Sequence, residues 1–349
     1  MFEELFEKPG FWAGHGPGGD VVLSTRVRLA RNLAAVNFPR GQEEGDLRLI
    51  NSVAERFASD ASLHDGARLL RLDGLDPDDK RFLRERNIIT GEMETAPNCS
   101  VILGEKQNFV IMVNEEDHFR IQVINPGFQV MESFGLADRL DDELNRLAAY
   151  AYSDDFGYLT ACPSNLGTGL RVSALMHLPT LTFMRSIADV TRLVRDYGAE
   201  MRGSAGDGGK TVACMYQISN RVSLGKPEVE ILEELDEVAA MVIDMENEAR
   251  DDYLAQYARQ LEDRIWRSFG MLAHSRILSY PDAMEHLSNI RLGVILSIIK
   301  NIDLGRINDL MVMVQWSHLQ KSAGRIFGGA FECDSYRADF LRKRFERAG

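Results

Sequence analysis

Five arginines, a corner of three carboxylates and a cysteine in a glycine-containing loop carry the residue types that anion and phosphoryl chemistry needs. Arg26 and Arg28 sit two apart in Ser24-Thr25-Arg26-Val27-Arg28. Arg120 closes Asn114-Glu115-Glu116-Asp117-His118-Phe119-Arg120, and Arg171 closes Cys162-Pro163-Ser164-Asn165-Leu166-Gly167-Thr168-Gly169-Leu170-Arg171. Arg202 opens Arg202-Gly203-Ser204-Ala205-Gly206-Asp207-Gly208-Gly209-Lys210-Thr211. A guanidinium presents a rigid fork that grips phosphate oxygens through paired N–H donors and stays charged. For any one arginine an exposed salt bridge is the simpler account. Arg26 and Arg28 resist that account, because residues two apart on a strand share a face. A phosphoryl-transfer site needs cations round the triphosphate, a metal, and a group that orients the nucleophile.

Glu115-Glu116-Asp117 reads either as a solvated loop or as a cluster that binds a cation, Mg²⁺ or a guanidinium. Cys162 reads either as a small buried apolar side chain or as a thiolate stabilised by a neighbouring positive charge. The glycine-rich segment after Arg202 invites a P-loop reading, which fails twice. The first glycine of G-x-x-x-x-G-K-T falls at Ser204, and a helical segment precedes the loop while a strand-like one follows it. A mobile lid over a nucleotide fits better.

The elements that must position these residues come in two kinds. Residues 21–29 alternate, with Val21, Leu23, Val27 and Leu29 on one side and Ser24, Arg26 and Arg28 on the other. Residues 108–113 and 119–124 read as strands flanking the acidic corner. Residues 170–178 alternate again and group Arg171, Ser173 and His177. Residues 211–218 look like another strand, and 39–57, 137–151 and 187–201 read as helical. Strands returning through irregular corners among helices favour an α+β fold with an antiparallel sheet flanked by helices. After Gly225-Lys226-Pro227 the character changes: Ile231, Leu235, Val238, Val242 and Met245, then Leu254, Tyr257, Leu261 and Ile265, follow helical spacing. Two units are expected, a catalytic domain over 1–222 and a mostly helical C-terminal domain over 223–349. The formal charge of −13 argues against nucleic-acid binding. The acidic start lacks a signal peptide's features and no apolar run is long enough to span a bilayer, so a cytoplasmic protein without membrane attachment is expected. The four cysteines, at 99, 162, 214 and 333, show no CxxC pair, which suggests reduced thiols with neither a disulfide framework nor a zinc site.

The segments Ser24–Arg28, Asn114–Arg120 and Cys162–Arg171 together resemble the signature set of the guanidino (phosphagen) kinases, which move the γ-phosphoryl group of ATP onto a guanidinium nitrogen. The likeness runs from about residue 21 to 225, closing with Tyr216-Gln217-Ile218-Ser219-Asn220. Its layout is similar to the bacterial branch that phosphorylates arginine side chains in proteins. That likeness extends to Gln315, His318, Leu319, Gln320, Lys321, Ser322, Ala323 and Gly324 in the C-terminal domain. Small-guanidine kinases carry a long helical domain before the first arginine motif, which starts here at Ser24. The resemblance implies ATP and Mg²⁺ as cofactors. It implies a nucleotide site of Ser24, Thr25, Arg26, Val27 and Arg28, with Arg120, Arg171, Val172, Ser173, Ala174 and Leu175. Arg202, Gly203, Ser204, Ala205, Gly206 and Asp207 complete that site. It implies Glu116 as base and orienter, Cys162 beside the guanidinium, and Asp207 as the lid's carboxylate; no protein metal ligand is implied. Partners implied are protein substrates with exposed arginines, an activator protein, a Clp-type ATPase in a stress response, and a second copy through the C-terminal domain. This sequence departs from the family at three places. Lys210 stands where the lid usually offers a second catalytic glutamate, Asn87 where a histidine helps hold the nucleotide, and Cys333 at the first arginine of a phosphoarginine-binding motif, Cys333-Asp334-Ser335-Tyr336-Arg337-Ala338. Two other readings stay open: a pseudokinase holding nucleotide or arginine, and a kinase of a free guanidino compound.

Overall fold

The computed structural model describes Leu5, Gly10 and residues 13–346 other than 61, 63, 65 and 205–210. The strands in chain order are β1 (Val22–Arg31), β2 (Ala67–Arg71), β3 (Ser100–Gly104), β4 (Phe109–Val113), β5 (Phe119–Pro126), the short β6 (Tyr152–Ser153) and β7 (Gly157–Tyr158), β8 (Leu170–His177), β9 (Ala199–Gly203) and β10 (Met215–Asn220). Apart from the β6–β7 hairpin they form one sheet in the order β2-β3-β4-β5-β1-β8-β10-β9. Every neighbouring pair in it is antiparallel, as the irregular corners in the sequence predict.

Strand alternation gives the sheet two unlike faces. The rear face buries Val27, Leu29, Val172, Ala174, Met176 and Ile218 against helices α1 (Glu44–Ser59) and α3 (Val130–Leu147). The front face is covered at its β3–β4 end by α2 (Pro77–Glu85), whose Phe82 and Leu83 pack on Val101, Val110 and Met112. Between α2 and the C-terminal helices, the middle of the front face carries the arginines. Beyond α4 (Pro179–Phe183) and α5 (Ile187–Asp196), those later helices are α6 (Glu228–His274), α7 (Tyr280–Ile295), α8 (Leu304–Met313), α9 (Trp316–Ala323) and α10 (Ala330–Phe345).

Four local expectations shift. Leu23 does not join Val27 and Leu29: the β1–β8 register slips between Val22 and Ser24, and the bulge turns Leu23 to the front, against Met215 and the C-terminal helices. The helix expected over 187–201 ends at Asp196; Gly198, at φ 78°, turns the chain into β9. α3 starts at Val130, ahead of the expected 137, and β10 starts only at Met215, after Ala213 and Cys214 at φ 60° and 55°. The helices do take over after Pro227, but α6 still belongs to the sheet's core from Ile231 to Ala249. Tyr257 breaks its helical geometry (φ −132°, ψ 25°), and from Leu261 on it packs with the C-terminal helices. The change of packing partner therefore lies within α6, not at the onset of helix near residue 223.

The two halves are locked by buried polar contacts. Arg291 of α7 is fully buried and donates to Asp20 O at 2.9 Å, to Gly19 O, to Asn308 Oδ1 at 3.0 Å and to His177 Nδ1 at 2.8 Å. Burial above all pushes its guanidinium down to about 9. The Glu85 carboxylate at the end of α2 accepts from Ser317 N at 3.0 Å and His318 N at 3.2 Å, capping α9.

Candidate active site

Antiparallel register sets the arginine cluster. Arg28 lies opposite Arg171 on β8, Arg26 opposite Ser173, and Ser24 opposite Leu175; Arg120 of β5 lies opposite Ala30. On the far side, Arg202 of β9 lies opposite Gln217 of β10. One cavity of about 330 Å³ gathers Arg28, Arg120, Arg171 and Arg202 with Glu116, Cys162, Ser164 and Asn165. Four sequence segments, drawn from residues 28 to 202, thus meet at one place.

The outer arginines are held by acids. Arg120 donates to Glu115 Oε1 at 2.8 Å and to Glu116 Oε2 at 3.2 Å. Arg171 pairs with Glu200 Oε1, and Arg202 donates to Glu200 Oε2 at 2.7 Å. The inner pair is not so held. Arg26 donates to the neutral Gln217 Oε1 at 3.1 Å, and Arg28 Nε is buried with no hydrogen-bond partner. Burial and the repulsion of Arg171 and Arg120 lower the Arg26 guanidinium to about 10. Burial, then Arg26, Arg120 and Arg171, hold Arg28 well below its ordinary value. Clustered buried cations of this kind favour an anion.

The acidic corner divides its labour. Asn114, at φ 56°, turns the chain between β4 and β5. Asp117 is buried and accepts from Asn32 Nδ2 at 2.6 Å and Ala161 N at 2.7 Å, so it ties β1 to the cysteine loop and does not face a cation. Burial lowers the His118 imidazole, which accepts from Leu33 N at 3.0 Å and bonds Asn37 O at 2.8 Å. Of the three carboxylates only Glu116 lines the cavity, and Asn165 Nδ2 donates to its Oε2 at 3.3 Å. Cys162 lies across the same cavity, its Sγ 3.0 Å from Ser164 Oγ. Gly167, at φ 104°, packs the loop so closely on Ser223 that a Cβ would lie 2.2 Å from Ser223 O.

The remaining expected residues separate by face. Ser24 and Ser173 share the front with the arginines, whereas Thr25, Val27, Val172 and Ala174 turn their side chains into the buried rear. The period of two on a strand leaves those four only main chain to offer. Leu175, Ser204 and Asn87 line a second cavity of about 680 Å³, shared with Met215 and with Tyr280, Met284 and Met311 of α7 and α8. Gly203 pairs with Tyr216 at the end of β9. Ala205, Gly206, Asp207 and Lys210 lie outside the described residues. His177, grouped with Arg171 and Ser173 by alternation, is capped by α7: its Nε2 meets Ser288 Oγ at 2.7 Å. Cys333 is buried, and its neighbour Arg337 donates to Val314 O and Leu278 O, each at 2.8 Å.

Three residues that position the site have no distinguishing signal in the sequence. Glu200 is one. Arg31 and Asp141 are a buried pair, Arg31 Nε donating to Asp141 Oδ2 at 2.9 Å while the guanidinium lies 3.6 Å above the Tyr158 ring and reaches Thr168 O at 2.8 Å. They brace the end of β1 against the cysteine loop.

The chain matches two family models: "ATP:guanido phosphotransferase, C-terminal catalytic domain" over residues 48–249, and "Protein-arginine kinase McsB C-terminal domain" over residues 258–349. It is 39% identical over 333 residues to the protein-arginine kinase of Halalkalibacterium halodurans, covering 95% of this chain and 93% of that one. It is 38% identical over 334 residues to that of Bacillus subtilis, covering 94% and 91%. Among solved structures, lombricine kinase superposes with a TM-score of 0.58 at 26% identity, over 67% of this chain and 68% of that one. The duplicated taurocyamine kinase of Schistosoma mansoni, with bound transition-state-analogue components, superposes with a TM-score of 0.60 at 25% identity over 69% of this chain, which spans 35% of that protein. The chain belongs to the protein-arginine kinases of the ATP:guanido phosphotransferase family, and it is a phosphotransferase.

Proposed function

We propose that this protein transfers the γ-phosphoryl group of Mg-ATP to arginine side chains of other proteins. The observation that carries the reading is the single cavity holding Arg28, whose Nε is buried without a hydrogen-bond partner, the carboxylate Glu116 and the thiol Cys162. Arg26 and Arg28 point along β1 from Ser24, each step of two residues advancing roughly 6.6 Å. A triphosphate laid on that row puts its γ-phosphoryl at the Arg28–Arg171 end and its nucleoside over Ser24 and Leu175, in the larger cavity. Glu116 orients the substrate guanidinium and takes its proton as the nitrogen lone pair attacks phosphorus. The bond from γ-phosphorus to the bridging oxygen breaks, and ADP leaves with that electron pair. Cys162, across the cavity, gives the guanidinium a second, polarizable partner. Mg²⁺ would arrive with the nucleotide, as its hard-cation chemistry with phosphate oxygens favours. When bound it neutralises charge on those oxygens.

The same reading places the protein in the cytoplasm, acting in a stress response that marks proteins for a Clp-type protease with an activator protein as partner. A homodimer would form through the C-terminal helices. The test is incubation with Mg-ATP and an arginine-rich protein, followed by mass spectrometry for an acid-labile phosphoramidate. Modified arginine side chains are the expected result. Nucleotide binding without transfer points to a pseudokinase, and transfer only to free guanidines points to a small-guanidine kinase; either outcome overturns the reading.

A further inference from the structure

Glu200 is the only acidic residue in β1, β8, β10 and β9, the run of neighbouring strands in which β1, β8 and β9 carry Arg26, Arg28, Arg171 and Arg202. A carboxylate there works against binding a polyanion, since like charges at close range repel. Its contacts show what it does instead. One oxygen takes Arg171 Nη2 and, at 3.2 Å, the Ser219 hydroxyl; the other takes Arg202 Nη2 at 2.7 Å. Ser219 also accepts from Arg171 Nη2 at 3.2 Å, closing the group. Only one terminal nitrogen of each arginine is engaged by Glu200, and an arginine has five N–H donors. The remaining edges are free to meet phosphate while the carboxylate stays in place. Arg202 needs such a tether: its side chain is 70% exposed, against 30% for Arg171 and 22% for Glu200. Arg202 is also the next-to-last residue of β9, where the glycine-rich segment opens.

We infer that Glu200 is a positioning residue, which joins Arg171 and Arg202 into one rigid unit aimed at the transferring phosphoryl group. The inference rests on the arginine-phosphorylating reading above. Binding in the ground state is not what Glu200 improves, because its charge opposes the phosphates. Its benefit falls on the transition state, where a misaimed donor is costly.

The experiment is a double-mutant cycle with Glu200→Gln and Arg202→Lys, read by steady-state kinetics and by equilibrium binding of a non-hydrolysable ATP analogue. Glu200→Gln is expected to lower kcat on the order of tenfold without raising the KM for ATP. The double variant is expected to be about as slow as the slower single, since both changes break one unit. Affinity for the ATP analogue should stay unchanged or tighten in Glu200→Gln, because the lost carboxylate opposed the phosphates. Unchanged kcat with a lower KM would make Glu200 a mere competitor for the arginines and overturn the inference. A fall in kcat with a parallel rise in KM and a lower Tm would make it structural, and additive effects would sever it from Arg202; either also overturns it. If the wild type binds the analogue but phosphorylates no arginine, the function reading fails by itself, and the same kcat cycle read on phosphoryl transfer from ATP to water still decides the role of Glu200.

Discussion

At the scale of single residues the site works by unequal compensation of charge. Arg120, Arg171 and Arg202 each have a carboxylate, whereas Arg26 has an amide and Arg28 Nε has no partner. A phosphate group would relieve the mutual repulsion of the inner pair, which is why the proposed nucleotide grip centres on them. Glu116 has a different duty, because it lines the cavity at the cysteine loop and shares its Oε2 with Asn165. Glu116→Gln keeps the shape and removes the carboxylate proposed as the base. Transfer should fall on the order of 10²-fold or more, while the Kd of a non-hydrolysable ATP analogue stays within about threefold. Wild-type turnover in that variant would show that proton transfer lies elsewhere.

At the scale of elements, what was legible depended on whether a side chain's role is written near it in the chain. The Arg26–Arg28 face, the acidic corner and the cysteine loop could be read because each motif is contiguous and each chemistry is local. Antiparallel pairing followed from the corners between strands. Glu200 was not legible, since Ala199-Glu200-Met201 reads as the tail of a helix until Gly198 stops α5. Nor was the split within Glu115-Glu116-Asp117, which depends on Asn32 and Ala161 arriving from elsewhere. Alternation alone misplaced Leu23, because a bulge adds a residue without a local signature, and it grouped His177 with the arginines because it cannot see that α7 covers the strand's end. The cysteine loop offers a test of positioning by an element. Gly167→Ala adds a Cβ 2.2 Å from Ser223 O at a φ that costs a non-glycine residue about 1–3 kcal/mol. The loop must move, carrying Cys162 and Asn165 away from Glu116. Transfer should drop by at least about tenfold with nucleotide affinity retained, as calorimetric titration can show. Equal losses in both would mean that the loop supports the arginine clamp as well.

At the scale of the whole molecule, the catalytic sheet and the C-terminal helices meet across buried ionisable groups, and this ties their association to pH. Burial first, then the charges of Arg291 and Arg250, hold His177 well below its ordinary value. Because Arg291 donates to Nδ1, the ring proton sits on Nε2 and is given to Ser288 Oγ, so the junction uses the neutral imidazole. His118, His286 and His318 are lowered too, each mainly by burial. In the unfolded chain a histidine takes up its proton near pH 6.5. The folded state resists that proton, so stability from these residues is complete above about pH 6.5 and is lost as the pH falls below it, by up to about 1.36 kcal/mol per pH unit per histidine. His177→Gln can offer an oxygen to Arg291 and an N–H to Ser288 but cannot titrate. Urea unfolding at pH 7.5 and pH 5.5 should show the wild type losing more stability between the two than the variant, by roughly 1 kcal/mol. Identical pH slopes for wild type and variant would mean that His177 is protonated in the fold and that Arg291 has another acceptor.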